Sequence, residues 1–184
     1  MIVEIRPVSM ENFKDLPNFR LFPYSCRYCA FWESLEFDDK TKKEDAEETK
    51  QKWFIDVGRE FGNCGFIVYV EKALVGFAQY APAKYFSTSK YYGLTPSDNA
   101  IFLACLYVAN RELWGKGIGK RLFQKVASDL ISRNYNVVEA VACVGNSPSD
   151  NIPDWYTGPL GFFEKMGFEI MSSKGYIALV RKEL

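Results

Sequence analysis

Three glycines in five residues, Gly115, Gly117 and Gly119, are the feature of this sequence best suited to chemistry. They stand between a nearly continuous apolar run, residues 101–108, and the helical stripe Ile118, Leu122, Phe123, Val126, Ala127, Leu130 and Ile131. Glycine there lets the backbone curl so that successive N–H groups point at one spot. The helix that follows adds its unpaired N–H groups and the positive end of its dipole. Together they make an anion site suited to a pyrophosphate, with Lys116 and Lys120 as added charge. Three rival readings are weaker. A tight turn that binds nothing leaves the density of glycine unexplained. A P-loop requires four residues between its first glycine and Gly-Lys-Ser/Thr, whereas Gly119-Lys120 is followed by Arg121. A Rossmann turn has Gly-x-Gly-x-x-Gly, and here the spacing is Gly-x-Gly-x-Gly. Glu139 does lie about twenty residues downstream, where a ribose-binding acid would be, but it falls inside a strand.

The remaining chemical inventory is short. The chain has no histidine, which excludes imidazole metal sites and both Ser-His-Asp and Cys-His catalysis. A general base must then be a carboxylate, a tyrosine, a thiolate, a neutral amine or ordered water. Cys26 and Cys29 form a Cys-x-x-Cys within Cys26-Arg-Tyr-Cys-Ala-Phe-Trp-Glu33. A structural zinc takes four ligands, and besides this pair the chain has Cys64 and two strand cysteines, so no metal is expected. A redox pair would lack its thioredoxin context. Lys plus Arg and Asp plus Glu balance at 23 each, so no broad basic face for nucleic acid or an anionic membrane is expected. No apolar run approaches the ~20 residues of a membrane span. Glu4 and Arg6 interrupt the short apolar start, so it does not read as a signal peptide. The five cysteines then read as reduced thiols, and a cytoplasmic location is expected.

Periodicity supplies the elements that must hold the glycine turn. With 184 residues, 48% hydrophobic and 25% charged, the expectation is one globular domain over 1–184. The 16% aromatic share points first to a large core and second to an aromatic-lined pocket. Alternation predicts strands at 2–8, 65–70 and 74–80, the last two joined as a hairpin. Ser9 is a plausible N-cap for a helix over 10–19, and residues 21–37 are aromatic and irregular. A helix is predicted over 42–61, from the opposite-charge pairs Lys43/Glu47 and Glu48/Lys52 and the shared face of Trp53, Phe54, Val57 and Phe61, with Gly62 ending it. Residues 81–99 read as a long loop, functional or mobile. Residues 101–108 and 136–144 read as strands buried on both faces, in a right-handed parallel crossover. A turn-rich stretch, a short helix at 160–166 and strands at 168–171 and 176–181 complete the chain.

Trp114-Gly-Lys-Gly-Ile-Gly-Lys-Arg-Leu122 resembles the coenzyme A pyrophosphate loop of the GNAT acetyltransferases, Gln/Arg-x-x-Gly-x-Gly/Ala. Gly117 and Gly119 match the two small positions, while Trp114 replaces the usual Gln or Arg. Phe162-Phe-Glu-Lys-Met-Gly-Phe-Glu169 is similar to the family's late helix-plus-strand segment, commonly Phe-Tyr-Glu-Lys-x-Gly-Phe. The element order is also the family's, and the resemblance covers nearly the whole chain. It implies an α/β fold with a mixed, mostly antiparallel sheet, helices on both faces and a central parallel pair splayed around coenzyme A. Pantetheine would pair with backbone at Leu106, Tyr107 and Val108, and the pyrophosphate would lie on Trp114, Gly115, Lys116, Gly117, Ile118, Gly119 and Lys120. The implied reaction is direct attack of a primary amine, from a small molecule or a peptide, on acetyl-CoA.

Departures from the family pattern bear on the acid and base. Where many relatives carry a tyrosine acid, this chain has Phe163. Tyr156, in the enlarged connection before that helix, could reach the sulfur instead, or serve only in packing. Glu139 is the leading base candidate if it faces the cleft, and a paired structural carboxylate if it does not. The Cys-x-x-Cys-x-aromatic-Trp-Glu stretch resembles a subgroup of the family and borders the expected acceptor site. It makes Trp32 and Glu33 acceptor-side candidates, with core packing of Trp32 the alternative, and Glu33 joins Glu139 at the head of the list of possible general bases. The second function compatible with these residues is an acyl-CoA-binding sensor that has lost turnover. A homodimer stays open.

Overall fold

In the computed structural model the described residues are 1–18, 25–38, 40–89, 93–109, 111–144 and 158–184. One seven-stranded sheet takes strands from both ends of the chain. Its members are β1 (Val3–Pro7), β2 (Gly65–Val70), β3 (Ala73–Pro82), β4 (Ile101–Val108), β5 (Val137–Cys143), β6 (Glu169–Lys174) and β7 (Ile177–Glu183), in the order β1-β2-β3-β4-β5-β7-β6. Every neighbouring pair is antiparallel except β4 with β5, as the strand–helix–strand crossover requires. The β2–β3 hairpin turns in two residues, Glu71 and Lys72, with φ of +49° and +69°. That is the primed geometry matching strand twist, so Ala73 pairs with Val70 rather than belonging to the turn.

Three helices cover the two faces. On one side, α1 (Lys43–Glu60) buries Trp53, Phe54 and Val57 against Phe77, Phe102 and Leu179. Each such side chain contributes about 1.5–3 kcal/mol. A surface pair four residues apart contributes about 0.3–0.5 kcal/mol, so packing, not charge pairing, fixes this helix. Indeed Glu47 pairs with Arg27, at 2.6 Å, and Lys43 lies over the Tyr28 ring. Gly62, at φ +91°, ends α1 as expected. On the other side, α2 (Ile118–Ser132) buries Ile118, Leu122, Phe123, Val126 and Leu130, and α3 (Leu160–Lys165) buries Phe163.

Two expectations are corrected. No helix spans 10–18; a 3₁₀ turn, Phe13–Asp15, stands there. Pro17 drives Leu16 to an extended backbone, with ψ of 139°. Asn12 closes the turn by accepting from the Ser9 N–H and donating to the Pro7 carbonyl. Nor is the described part of 81–99 a free loop. β3 continues to Pro82, a 3₁₀ turn follows at Ala83–Tyr85, and Phe86 and Leu94 are buried. Thr88 donates to the Phe31 carbonyl and Ser87 to the Glu33 carbonyl. The segment is therefore a strap across residues 31–33.

Candidate active site

The central strands separate. β4 and β5 are in register only at Ile101↔Val138 and Phe102↔Glu139, although both run on for several residues. An extra residue in β4, Ala104, bulges the ladder to β3, where Gln79 pairs with Cys105 and Tyr80 with Leu103. Beyond it Cys105, Leu106, Tyr107 and Val108 are half-exposed, unusual for the central strand of a covered sheet. The Ala109 N–H donates to Val75 of β3. By antiparallel alternation Tyr107 then turns its N–H and C=O to β3, while Leu106 and Val108 turn theirs into the gap. On the far side, the Cys143 N–H is taken by Gly158, and Cys143 bridges to Pro159. The gap thus has the backbone of Leu106 and the Val108 N–H on its β4 wall, with no partner from β3 or β5 among the described residues. The Val108 carbonyl also accepts the indole N–H of Trp114, at 2.9 Å, which pins that side chain across the end of the strand.

The glycine turn lies at the mouth of this gap. Gly115 and Gly117 have φ of +76° and +80°, and a Cβ built on either would meet nothing within 4 Å. Each is glycine because of its backbone conformation, and both border open space. Gly117 is the N-cap of α2; no side chain caps this end, and no acid lies in the first turn. The first-turn N–H groups are left for an anion. Lys116, Lys120 and Arg121 are exposed around them. Gly119 differs. Its Cβ would press on Phe162 of α3 at 3.2 Å and approach Leu106 at 3.7 Å, so its small size seats α3 against α2. These residues fit the pyrophosphate and pantetheine of coenzyme A.

On the α1 side of the sheet, against the start of the opened stretch of β4, lies a buried polar cluster. Glu33 Oε1 is 2.8 Å from Lys50 Nζ of α1 and accepts from Gln79 Nε2 of β3 at 2.6 Å. Lys50 also donates to Gln79 Oε1 at 2.8 Å and to the Cys29 carbonyl at 2.9 Å. The Glu33 and Lys50 side chains are 1% and 3% exposed. Burial alone would lower the Lys50 pKa, but the Glu33 carboxylate beside it outweighs that and holds it above its ordinary value. Glu33 Oε2 is buried and has no hydrogen-bond partner among the described residues. An orphaned buried acceptor costs about 1–3 kcal/mol, more when charged, and such a group calls for a reason.

The cysteines surround this cluster. The Cys26 thiol is hydrogen-bonded to Cys105, which together with burial pushes its pKa up. Burial pushes Cys29 up to about 11. Thiols held protonated are poor nucleophiles. Among the described residues no group of three or more His, Cys, Asp or Glu is arranged to hold a metal ion.

Glu139 lies elsewhere, at the closed end of the gap. Its Oε2 accepts from the Ser97 N–H, and its Oε1 from the Ser97 hydroxyl and from Arg181, at 2.7, 2.7 and 3.0 Å. This is the geometry of the paired structural carboxylate, tying the 93–100 segment to β5 and β7. Trp32 packs edge-on against Phe102 in the core, 3% exposed. Phe163 is buried against Phe162 and Phe168. Tyr156 lies outside the described residues. The structure therefore brings Leu106, Val108 and the glycine turn together, sets Glu33 beside β4, and keeps Glu139 apart. Sequence reasoning missed Lys50 and Gln79. Lys50 had a signal: with Ala46, Trp53, Phe54 and Val57 it falls on the buried stripe of α1 at spacings of three and four.

Comparison with known proteins agrees with this fold. The sequence profile described as "Acetyltransferase (GNAT) family" matches residues 27–168. Compared with curated proteins, the chain matches none. Among solved structures, the PaiA N-acetyltransferase of Thermoplasma acidophilum in complex with coenzyme A is 13% identical, with a TM-score of 0.61 and all of both chains covered. An N-acetyltransferase of Staphylococcus aureus Mu50 is 16% identical, TM-score 0.59, covering 100% of this chain and 98% of that one. A ribosomal-protein-alanine N-acetyltransferase of Brucella melitensis is 20% identical, TM-score 0.58, covering 98% and 99%. At these identities the structural likeness shows the fold alone, but the profile spans most of the chain, and the protein belongs to the GNAT acetyltransferase family.

Proposed function

We propose that the protein is an N-acetyltransferase that moves the acetyl group of acetyl-CoA to a primary amine, of a small molecule or a peptide, in a single direct transfer. The observation that carries this reading is the half-exposed β4 wall beside an uncapped α2 N-terminus, with a buried carboxylate oxygen that lacks a donor nearby. When bound, acetyl-CoA supplies the activated thioester. Gly115, Gly117 and the first-turn N–H groups of α2 hold its pyrophosphate. Leu106 and Val108 offer backbone to the pantetheine arm, and an N–H there steadies developing negative charge. Glu33 Oε2 accepts a hydrogen of the incoming amine and takes up its proton. Glu139 belongs to the scaffold. Tyr156 is retained as a proton source for the departing thiolate.

The crystallised neighbour from T. acidophilum contains coenzyme A, which supports this choice of cosubstrate. A second reading, acyl-CoA binding without turnover, is favoured by one observation: Phe163 has no proton to give, and its ring is 1% exposed. A thiol-release assay over a panel of amines separates the two. Turnover with any amine, lost at least ~100-fold in Glu33→Gln with coenzyme A affinity kept, supports catalysis. Full activity of Glu33→Gln refutes the role given to Glu33. Binding without turnover over the whole panel leaves the sensor.

A further inference from the structure

Lys50 is the residue in this molecule whose placement is hardest to explain by stability. Burying an ion pair costs several kcal/mol per charge, and well-packed apolar replacements are often as stable or more so. Yet Lys50 is enclosed on the apolar stripe of α1, and the hydrogen bonds of its ammonium gather around one acid. It bonds Glu33 directly, bonds the carbonyl of Gln79 whose amide bonds Glu33, and bonds the Cys29 carbonyl four residues before Glu33. Ser87 holds the Glu33 backbone from the opposite side. Lys50 and Gln79 both meet the Glu33 carboxylate at Oε1, and Oε2 has no partner among the described residues.

We infer that Lys50 is a positioning residue: with Gln79 it clamps Oε1 of Glu33, so that the side chain is held in one orientation and Oε2 is the oxygen left for the acceptor amine. This rests on the role given to Glu33 above. Among the described residues, the other titratable groups interacting electrostatically with the pair are thiols, Cys29 and Cys26 from the 25–30 segment, Cys105 from β4 and, farther off, Cys64. Cys26 and Cys29 stay protonated near neutral pH, so they add no charge beside the pair. Arg27 is engaged with Glu47. A buried carboxylate that loses its cation is driven to take up a proton. Removing Lys50 therefore acts on Glu33 through its charge, and a pH profile reads that change.

The test is the pH dependence of kcat/KM for one good amine in wild type, Glu33→Gln, Lys50→Met and Lys50→Arg, with coenzyme A affinity by calorimetry as the check on folding. Lys50→Met should lose at least ~10-fold in kcat/KM at neutral pH, and its acidic limb should move up by a unit or more, with activity recovering as pH rises. The KM for acetyl-CoA should not change. Lys50→Arg keeps the charge but not the three-way reach of the ammonium. Its limb should stay where wild type has it while kcat falls. If Lys50→Met does not fold, Lys50→Arg decides, and wild-type kcat in that variant overturns the positioning role. An unmoved limb in folded Lys50→Met, with Glu33→Gln inactive, overturns it too while leaving Glu33 in place. A fully active Glu33→Gln removes Glu33 and Lys50 together.

Discussion

Replacing Gly117 with aspartate should abolish tight coenzyme A binding and leave the fold intact. The structure separates the two effects. A Cβ at residue 117 meets nothing within 4 Å, so no packing is lost. The left-handed backbone, φ +80°, costs an ordinary residue about 1–2 kcal/mol, though Asp tolerates this region better than most. A carboxylate at the N-terminus of α2 returns about 0.3–1 kcal/mol. Net stability should therefore change by about 1 kcal/mol or less. Binding has no such compensation. The carboxylate competes for the first-turn N–H groups, whose charged hydrogen bonds are each worth about 1.5–3 kcal/mol. It would also repel the phosphate charge, by roughly 1–3 kcal/mol between the surface and bulk-water limits for an assumed separation of about 5 Å. The sum corresponds to at least ~100-fold weaker affinity. Calorimetry with coenzyme A and thermal unfolding measure the two quantities. Acetyl-pantetheine, which has no pyrophosphate, is the control substrate, and its kcat/KM should be unchanged. Unaltered coenzyme A affinity in folded protein, or an equal loss with acetyl-pantetheine, would refute the reasoning. Gly119→Asp is the poorer probe, because it would also displace Phe162.

Other outcomes follow from the same geometry. Glu139→Leu strands Arg181 and the Ser97 donors and should destabilise the protein by about 3–5 kcal/mol in denaturant unfolding. Glu139→Gln, where it stays folded, should keep kcat. Tyr80→Phe removes the hydroxyl that donates to Asp129 and accepts from Asn63, and should cost about 1–2 kcal/mol with no change in coenzyme A affinity. Burial pushes the thiols of Cys29 and Cys64 up to about 11 and about 12, from an ordinary 9.0. Since the folded state holds these protons more tightly, the associated stability is complete below pH 9 and is lost as pH rises toward 11 and 12. Urea unfolding over that window should show the decline, less steeply in Cys64→Ala. Elemental analysis of the purified protein should find no stoichiometric zinc; zinc lost together with stability in Cys26→Ser would contradict this.

Much of the scaffold was legible because it rests on local rules. The apolar runs at 101–108 and 137–143, the stripe of α2 and the glycine turn each carry their own signal, and the proposed phosphate cradle lies within one stretch of chain. The parallel crossover followed from strand–helix–strand order alone. The same local logic misled at residues 10–18, where one proline outweighed a plausible cap.

What the sequence could not assign was the duty of each acid. Glu33 and Glu139 are the same residue type, and periodicity places both near the sheet. Ser97 and Arg181 reach Glu139 from positions 42 residues away on either side, while Lys50 and Gln79 converge on Glu33 from a helix and a strand. A buried charge is defined by the groups that solvate it in place of water, and here those groups come from distant segments. The amino-acid sequence determined most of the elements, the glycine turn and the absence of imidazole chemistry. Only the tertiary structure decided which carboxylate is tied off and which keeps an oxygen free, because hydrogen bonds between remote segments exist only once the sheet has brought them together.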